Sequence, residues 1–352
     1  MSSARELEVT TKKTITFKNS NKATATDLQA GKTYYYVYTE NGTWSEAQSY
    51  TVKNTDNFSV LFVSDSQIGR SGDSKDDGVL MRDTCGWNFT MDQIEKSGRD
   101  IAFMISAGDQ VEEAYSEEQY RAYLSPEILR SLPVANTIGN HDFYFPLYTY
   151  RFNNPNTVDQ SFTWPAGEGY YYSYGDVLFI VMDSNNIFIP DQKKLLDAAI
   201  KAYPDAKYRV VTMHHSIYSD EDSTFMRALF VPLLDTYDID LVLSGHDHFY
   251  TRSKELSGNK ASSDGTVYLE ASTCSGSNSR TPSYIKYSQF VYEQEAVTYT
   301  ILNFSDDAIN VETYLTDNNE IIDQCKIDRN TQTKSDQFSL IKWFQSFIAV
   351  FS

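Results

Sequence analysis

Short apolar runs punctuate this sequence. Residues 60–63 (Val-Leu-Phe-Val), 101–105 (Ile-Ala-Phe-Met-Ile), 177–182 (Val-Leu-Phe-Ile-Val-Met), 208–213 (Tyr-Arg-Val-Val-Thr-Met) and 239–243 (Ile-Asp-Leu-Val-Leu) are too short for helices and rich in β-branched and aromatic side chains. Such runs read as strands buried on both faces. Between them the apolar positions adopt helical spacing. Residues 190–203 begin at Pro190, carry Leu195, Leu196, Ala199, Ile200 and Tyr203 at that spacing, and stop at Pro204. Strands alternating with helices predict an α/β sheet that is at least partly parallel. Beyond about residue 265 the helical spacing vanishes, and hairpin-like strands are expected at 266–271, 297–304 and 308–316. The later part of the sheet is therefore expected to be mixed or antiparallel.

Both ends depart from this rhythm. Residues 1–56 read as β, with strand-like stretches at 14–18 and 34–38 and turn signals at 30–32 (Ala-Gly-Lys) and at Asn41-Gly42. At the other end, residues 338–351 put Leu340, Ile341, Phe344, Phe347, Ile348 and Phe351 on one helical face. That helix either docks on its own domain or meets a membrane interface or a partner. The expected organisation is a small β domain over 1–56, a larger α/β domain over 57–320, and a terminal strand with an amphipathic tail over 321–352. The first residues lack the apolar run of a signal peptide, and no uncharged apolar stretch reaches the roughly 18 residues of a membrane span.

Composition narrows the classes. With 41% hydrophobic residues among 352, the chain can build a core. Its formal net charge of -18 disfavours nucleic acid and anionic membranes as default partners, since both reward Lys and Arg. Three cysteines, Cys85, Cys274 and Cys325, do not make a disulfide framework, although one bridge and one free thiol would use them all.

The candidate chemistry lies just after the apolar runs. The five histidines fall in three places, and acidic or amide residues occupy the remaining run ends. The pieces are Ser64-Asp65-Ser66-Gln67, Gly108-Asp109-Gln110-Val111-Glu112, Gly139-Asn140-His141-Asp142, Met213-His214-His215 and Gly245-His246-Asp247-His248. In open α/β sheets ligands bind beyond the carboxyl ends of the strands. Carboxylate and amide oxygens with imidazole nitrogens, and no thiolate, suit zinc and first-row divalent or trivalent ions. Two such ions need a shared anion between them, and together they clamp a phosphate and lower the pKa of a bound water.

These five motifs, in this order, resemble the calcineurin-like metallophosphoesterases, especially the bacterial relatives of purple acid phosphatases. The resemblance covers residues 58–304. It implies a β-sandwich of mixed sheets flanked by helices. It also implies two divalent or mixed-valence ions (Fe, Zn or Mn) and hydrolysis of phosphate mono- or diesters, with a small molecule or a protein as substrate. By the same resemblance Asp65 and His248 bind the first metal, Asp109 bridges, and Asn140, His214 and His246 bind the second. His141 contacts the phosphate and protonates the leaving group, with Asp142 orienting it. Two positions depart from the family. Gln67 stands where many members carry His, leaving an amide oxygen as the ligand there. Glu112 stands where purple enzymes carry the iron-binding Tyr, so a ferric–tyrosinate chromophore is not expected. Residues 28–52 resemble the last strands of a fibronectin type III-like domain, which needs about 100 residues in full, so that domain is expected to be partial. The resemblance places the protein outside a bacterial cell or on its surface. The competing reading is a cell-surface binding protein built on a degenerate phosphatase domain.

Overall fold

The computed structural model describes residues 9–13, 19–40, 42–71, 78–161, 166–218, 223–282, 286–328 and 340–350. In chain order the strands of its two large sheets are β1 (Phe58–Val63), β2 (Ile101–Ser106), β3 (Val134–Asn136), β4 (Tyr170–Tyr174), β5 (Val177–Val181), β6 (Tyr208–Thr212), β7 (Leu241–Ser244), β8 (Thr251–Ser253), β9 (Val267–Glu270), β10 (Ser288–Val291), β11 (Thr298–Phe304), β12 (Ile309–Leu315) and β13 (Ile321–Ile327). The first sheet runs β13-β12-β11-β1-β2-β3, parallel over β1-β2-β3 and antiparallel elsewhere. The second runs β4-β5-β6-β7-β9-β8-β10, parallel over β5-β6-β7-β9 with antiparallel strands at both margins.

The apolar runs explain the layering. Along β1, Val60 and Phe62 face the second sheet and join Phe179, Val210, Leu243, Leu269 and Leu302 in the central core. Leu61 and Val63 face the other way, onto Trp87, Met91 and Ile94 of helix α1 (Val79–Lys96). On the far side of the second sheet, Leu178, Ile180, Val211 and Val242 pack under helices α2 (Ile189–Ala202) and α3 (Thr224–Thr236). A strand buried on both faces has no polar side to display, so its sequence is apolar throughout.

Both ends are joined to the rest by specific contacts. Strand β13 pairs with β12 along its whole length, so a boundary at residue 320 would cut the first sheet. The N-terminal strands form separate two-stranded ladders, Val9–Lys13 with Asn19–Ala23, Thr33–Tyr36 with Gln48–Thr51, and Thr39–Glu40 with Thr43–Trp44. The expected strand at 14–18 lies outside the described residues. Lys22 Nζ ties the first ladder to the α/β domain by donating to Thr149 O at 2.9 Å and Phe152 O at 2.6 Å. Helix α4 (Leu340–Val350) docks against α3 through Ser346, whose hydroxyl donates to Asp235 at 2.6 Å, and through buried Val350. Leu340, Ile341, Phe344 and Ile348 remain exposed. Residues 338, 339 and 351 of the expected helix lie outside the described residues. The three cysteines are all free.

Candidate metal centre

Beyond the carboxyl ends of β1, β2, β3, β6 and β7 the chain bends sharply. Among the described residues, ten non-glycine residues have positive φ, and half of them lie here: Asp65 (49°), Gln67 (32°), Asp109 (49°), His246 (88°) and His248 (62°). Left-handed backbone at non-glycine residues costs of order 1–3 kcal/mol each and clusters at functional sites. Its use is plain at His246 and His248. In an extended strand, two residues apart, they would share one face; the left-handed turns instead send His246 to His214 and His248 to Asp65. Gly139 and Gly245 make room for the carboxylates. A Cβ on Gly139 would overlap that of Asp109, and one on Gly245 that of Asp65.

The side chains then converge in two groups. In the first, His214 Nε2 lies 2.9 Å from Asn140 Oδ1, 3.2 Å from Asp109 Oδ2 and 3.2 Å from His246 Nδ1. Asp109, His214 and His246 each offer a ligand atom within 4.8 Å of the others. In the second, His248 Nε2 lies 3.5 Å from Asp65 Oδ1, while Asp65 Oδ2 accepts from His246 N at 2.9 Å. Gln67, two residues on, is 2% exposed. Asp109 belongs to both neighbourhoods: its carbonyl accepts from Gln67 N at 2.8 Å and its Oδ1 from His141 N at 2.9 Å.

The donors fit a cation. His214 Nδ1 bonds Ala107 O at 2.9 Å, and His248 Nδ1 bonds Ser277 O at 2.9 Å. A carbonyl only accepts, so each Nδ1 carries a proton and each Nε2 is the nitrogen turned inward, the arrangement that prepares an imidazole for a metal. Asp65 Oδ1 and Gln67 Oε1 are buried without any hydrogen-bond partner, which is costly unless positive charge meets them. Burial opposes charge on His214, yet the facing Asp109 carboxylate and their hydrogen bond carry its pKa up to about 10. Burial alone would raise the pKa of Asp109, but His214 outweighs it and holds the carboxylate well below its usual range. Burial and the charge of His214 both push His246 down. The cluster is built to accept positive charge between Asp109 and the imidazoles.

The surrounding residues take other places. His141 is partly exposed, and its Nδ1 lies 3.0 Å from Glu112 O and 3.2 Å from Glu112 Oε2. Asp142 does not orient it. Its carboxylate is fully buried and accepts from Gly139 N at 3.0 Å and from Gln110 N at 3.2 Å, pinning the Asn140 turn to the Asp109 loop. The carboxylate is spent on the amide of Gly139, three residues back, on that of Gln110 in the facing loop and on the Tyr120 hydroxyl at 3.4 Å, and has nothing left for the ring. Asn185 Nδ2 donates to Gly139 O at 3.3 Å and to Asp183 Oδ1 at 2.9 Å, bracing the same turn. His215 exchanges bonds with Ser184 beside the centre. Arg252 is taken by a bidentate pair with Asp323 at 2.6 and 2.8 Å. Sequence reasoning missed the carbonyls of Ala107 and Ser277, since a backbone oxygen leaves no mark in the residue type. Asn185 had a faint signal in the Asp-Ser-Asn-Asn run after β5.

This chain belongs to the calcineurin-like phosphoesterase family, whose sequence profile matches residues 58–250. An uncharacterized protein of Mycobacterium tuberculosis, found in two strains, is 28% identical over 146 residues, or 35% of this chain and 27% of that protein. The chain thus spans about a quarter of the length of this curated relative. Among solved structures, a purple acid phosphatase from yellow lupin seeds superposes with a TM-score of 0.61 at 16% identity, covering 86% of this chain and 61% of that one. GAP50, the anchor in the inner membrane complex of Plasmodium, gives 0.56 at 16% identity over 84% and 95%. PhoD gives 0.55 at 11% identity over 95% and 84%. At these identities the likeness is one of fold, and it is the mixed α/β sandwich expected from the sequence.

Proposed function

We propose that this protein hydrolyses phosphate mono- or diesters at a centre of two cations. The observation that carries the reading is the convergence of Asp109, His214 and His246 ligand atoms within 4.8 Å, beside buried, unpartnered oxygens of Asp65 and Gln67. Asp65, His248 and Gln67 would hold the first cation, Asn140, His214 and His246 the second, and Asp109 both. Iron, zinc and manganese suit this donor set. When bound, two cations supply a positive clamp for a phosphoryl group and lower the pKa of a bound water. The protein's own part is to hold the ligands with their lone pairs inward and to manage a proton at His141. The Glu112 carbonyl fixes His141 Nδ1 as a donor, so Nε2 is the atom that exchanges a proton with the leaving oxygen.

Motif order supports a place among the relatives of purple acid phosphatases, and the match to a mycobacterial protein supports a bacterial one. On that reading the N-terminal ladders are the remnant of a fibronectin type III-like domain and the protein works outside the cell or on its surface. The exposed stripe of Leu340, Ile341, Phe344 and Ile348 is the surface we assign to membrane or partner contact.

The test is elemental analysis of the purified protein, together with paired mono- and diester chromogenic substrates before and after chelation. The reading expects close to two ions per chain and hydrolysis that chelation abolishes. Full activity in metal-free protein would overturn it. Absence of both ions and activity would select a non-catalytic binding protein.

A further inference from the structure

The amide of Gln67 poses a problem that a histidine in its place would not. Its two ends are alike in size, and a half-turn about the last side-chain bond exchanges the oxygen with the nitrogen. Only the oxygen can ligate a cation. Something must choose which end faces inward, and Glu112 is placed to do so. A carboxylate only accepts, so the end of Gln67 that lies 2.8 Å from Glu112 Oε2 is the nitrogen. The oxygen is thereby the other end, buried and without a partner.

Glu112 is itself held from several sides. Its backbone N–H donates to Ile68 O at 3.1 Å, and Arg70 Nη1 donates to its Oε1 at 3.1 Å. The same Oε2 that takes the Gln67 amide also lies 3.2 Å from His141 Nδ1. One carboxylate therefore touches a candidate ligand of the first cation and the candidate proton donor.

We propose that Glu112 is a positioning residue that fixes the Gln67 amide with its oxygen toward the first cation while bracing the His141 imidazole. This rests on the reading of Asp65, Gln67 and His248 as one cation site. Residues that orient metal ligands from behind typically change affinity by ten- to a hundredfold when removed. An amide, being a weak and reversible-ended ligand, depends on such orientation more than an imidazole does.

The experiment is a titration of metal-stripped protein with Zn²⁺ and Mn²⁺ alone, followed calorimetrically, on wild type, Glu112→Ala, Arg70→Ala, Gln67→Leu and the double variant Glu112→Ala/Gln67→His. Wild type should take up two ions. Glu112→Ala and Gln67→Leu should each weaken one of them by about ten- to a hundredfold and leave the other unchanged. The double variant should recover most of the loss, because an imidazole at 67 needs no amide orientation. Arg70→Ala should leave both affinities within about threefold. Equal weakening of both ions in Glu112→Ala, no change in Gln67→Leu, a loss in Arg70→Ala as large as in Glu112→Ala, or no rescue by histidine would each overturn the proposal. Titration does not depend on turnover. The expected affinity pattern in a protein without esterase activity would sink the hydrolase reading and leave this one standing; hydrolysis by wild type with a single ion would do the reverse.

Discussion

Asp109 is where the loops of the centre meet. Its carbonyl takes the backbone N–H of Gln67, one carboxylate oxygen takes His141 N, and the other faces His214. Asp65 offers one oxygen toward His248 and spends the other on the backbone N–H of His246. Asp109→Ala should therefore lose more bound metal and more activity than Asp65→Ala, as read by elemental analysis and initial rates; equal metal in wild type and Asp109→Ala would remove the shared role. His141 has a different consequence. Its ring is tethered through Nδ1 to Glu112 and partly open to solvent, and it is absent from the converging ligand atoms. His141→Ala should keep both ions and lose about 10²–10⁴ in rate, the usual share of a placed general acid, or about 3–5 kcal/mol. The loss should shrink for esters of good leaving groups such as nitrophenolate, and a uniform loss would assign His141 to phosphate positioning instead.

At the scale of elements, Trp87 fastens α1 to the short helix Glu117–Tyr123 while packing with Met91 and Ile94 on the first sheet. Trp87 is fully buried, stacks on Tyr123 with ring centroids 5.6 Å apart, and donates its indole N–H to Tyr123 O at 2.8 Å. Trp87→Ala should cost about 3–5 kcal/mol in denaturant unfolding, with metal affinity in the folded fraction unchanged. The elements most legible in the sequence were those buried on both faces, because burial leaves nothing but apolar residues to read. The runs at 60–63, 101–105, 177–182, 208–213 and 239–243 all became strands, and the helix expected over 190–203 is Ile189–Ala202. Their division into two sheets was not legible. It rests on β11 pairing beside β1, a contact between segments far apart in the chain that no local pattern encodes. In the site, side chains following Gly or closing a strand announced themselves, whereas their backbone braces did not. Asp142 misled because its neighbour in sequence is not its neighbour in space: a single helical turn aims it at the amides of Gly139 and Gln110.

For the whole molecule, the candidate ligands come from both halves of the sandwich. Asp65, Asp109 and Asn140 follow strands of the first sheet, and His214, His246 and His248 follow strands of the second. A cation held between them favours the folded state over any state in which the sheets part. At a free concentration a hundred times Kd that linkage is worth about 2.7 kcal/mol. Chelation should therefore lower the thermal midpoint by several degrees as well as abolish hydrolysis, and calorimetry with and without Zn²⁺ measures it. A midpoint indifferent to metal would mean that the two halves are joined by packing alone. The pairing of β1 with β11 also sets a timetable for synthesis. A ribosome releases Asp65, Asp109 and Asn140 early, but β1 gains its second neighbour only when residues 298–304 have emerged, and the last imidazole donor arrives with residue 248. A nascent chain shorter than that can offer only part of the candidate nest, and a cation would meet every donor only once both sheets can pair.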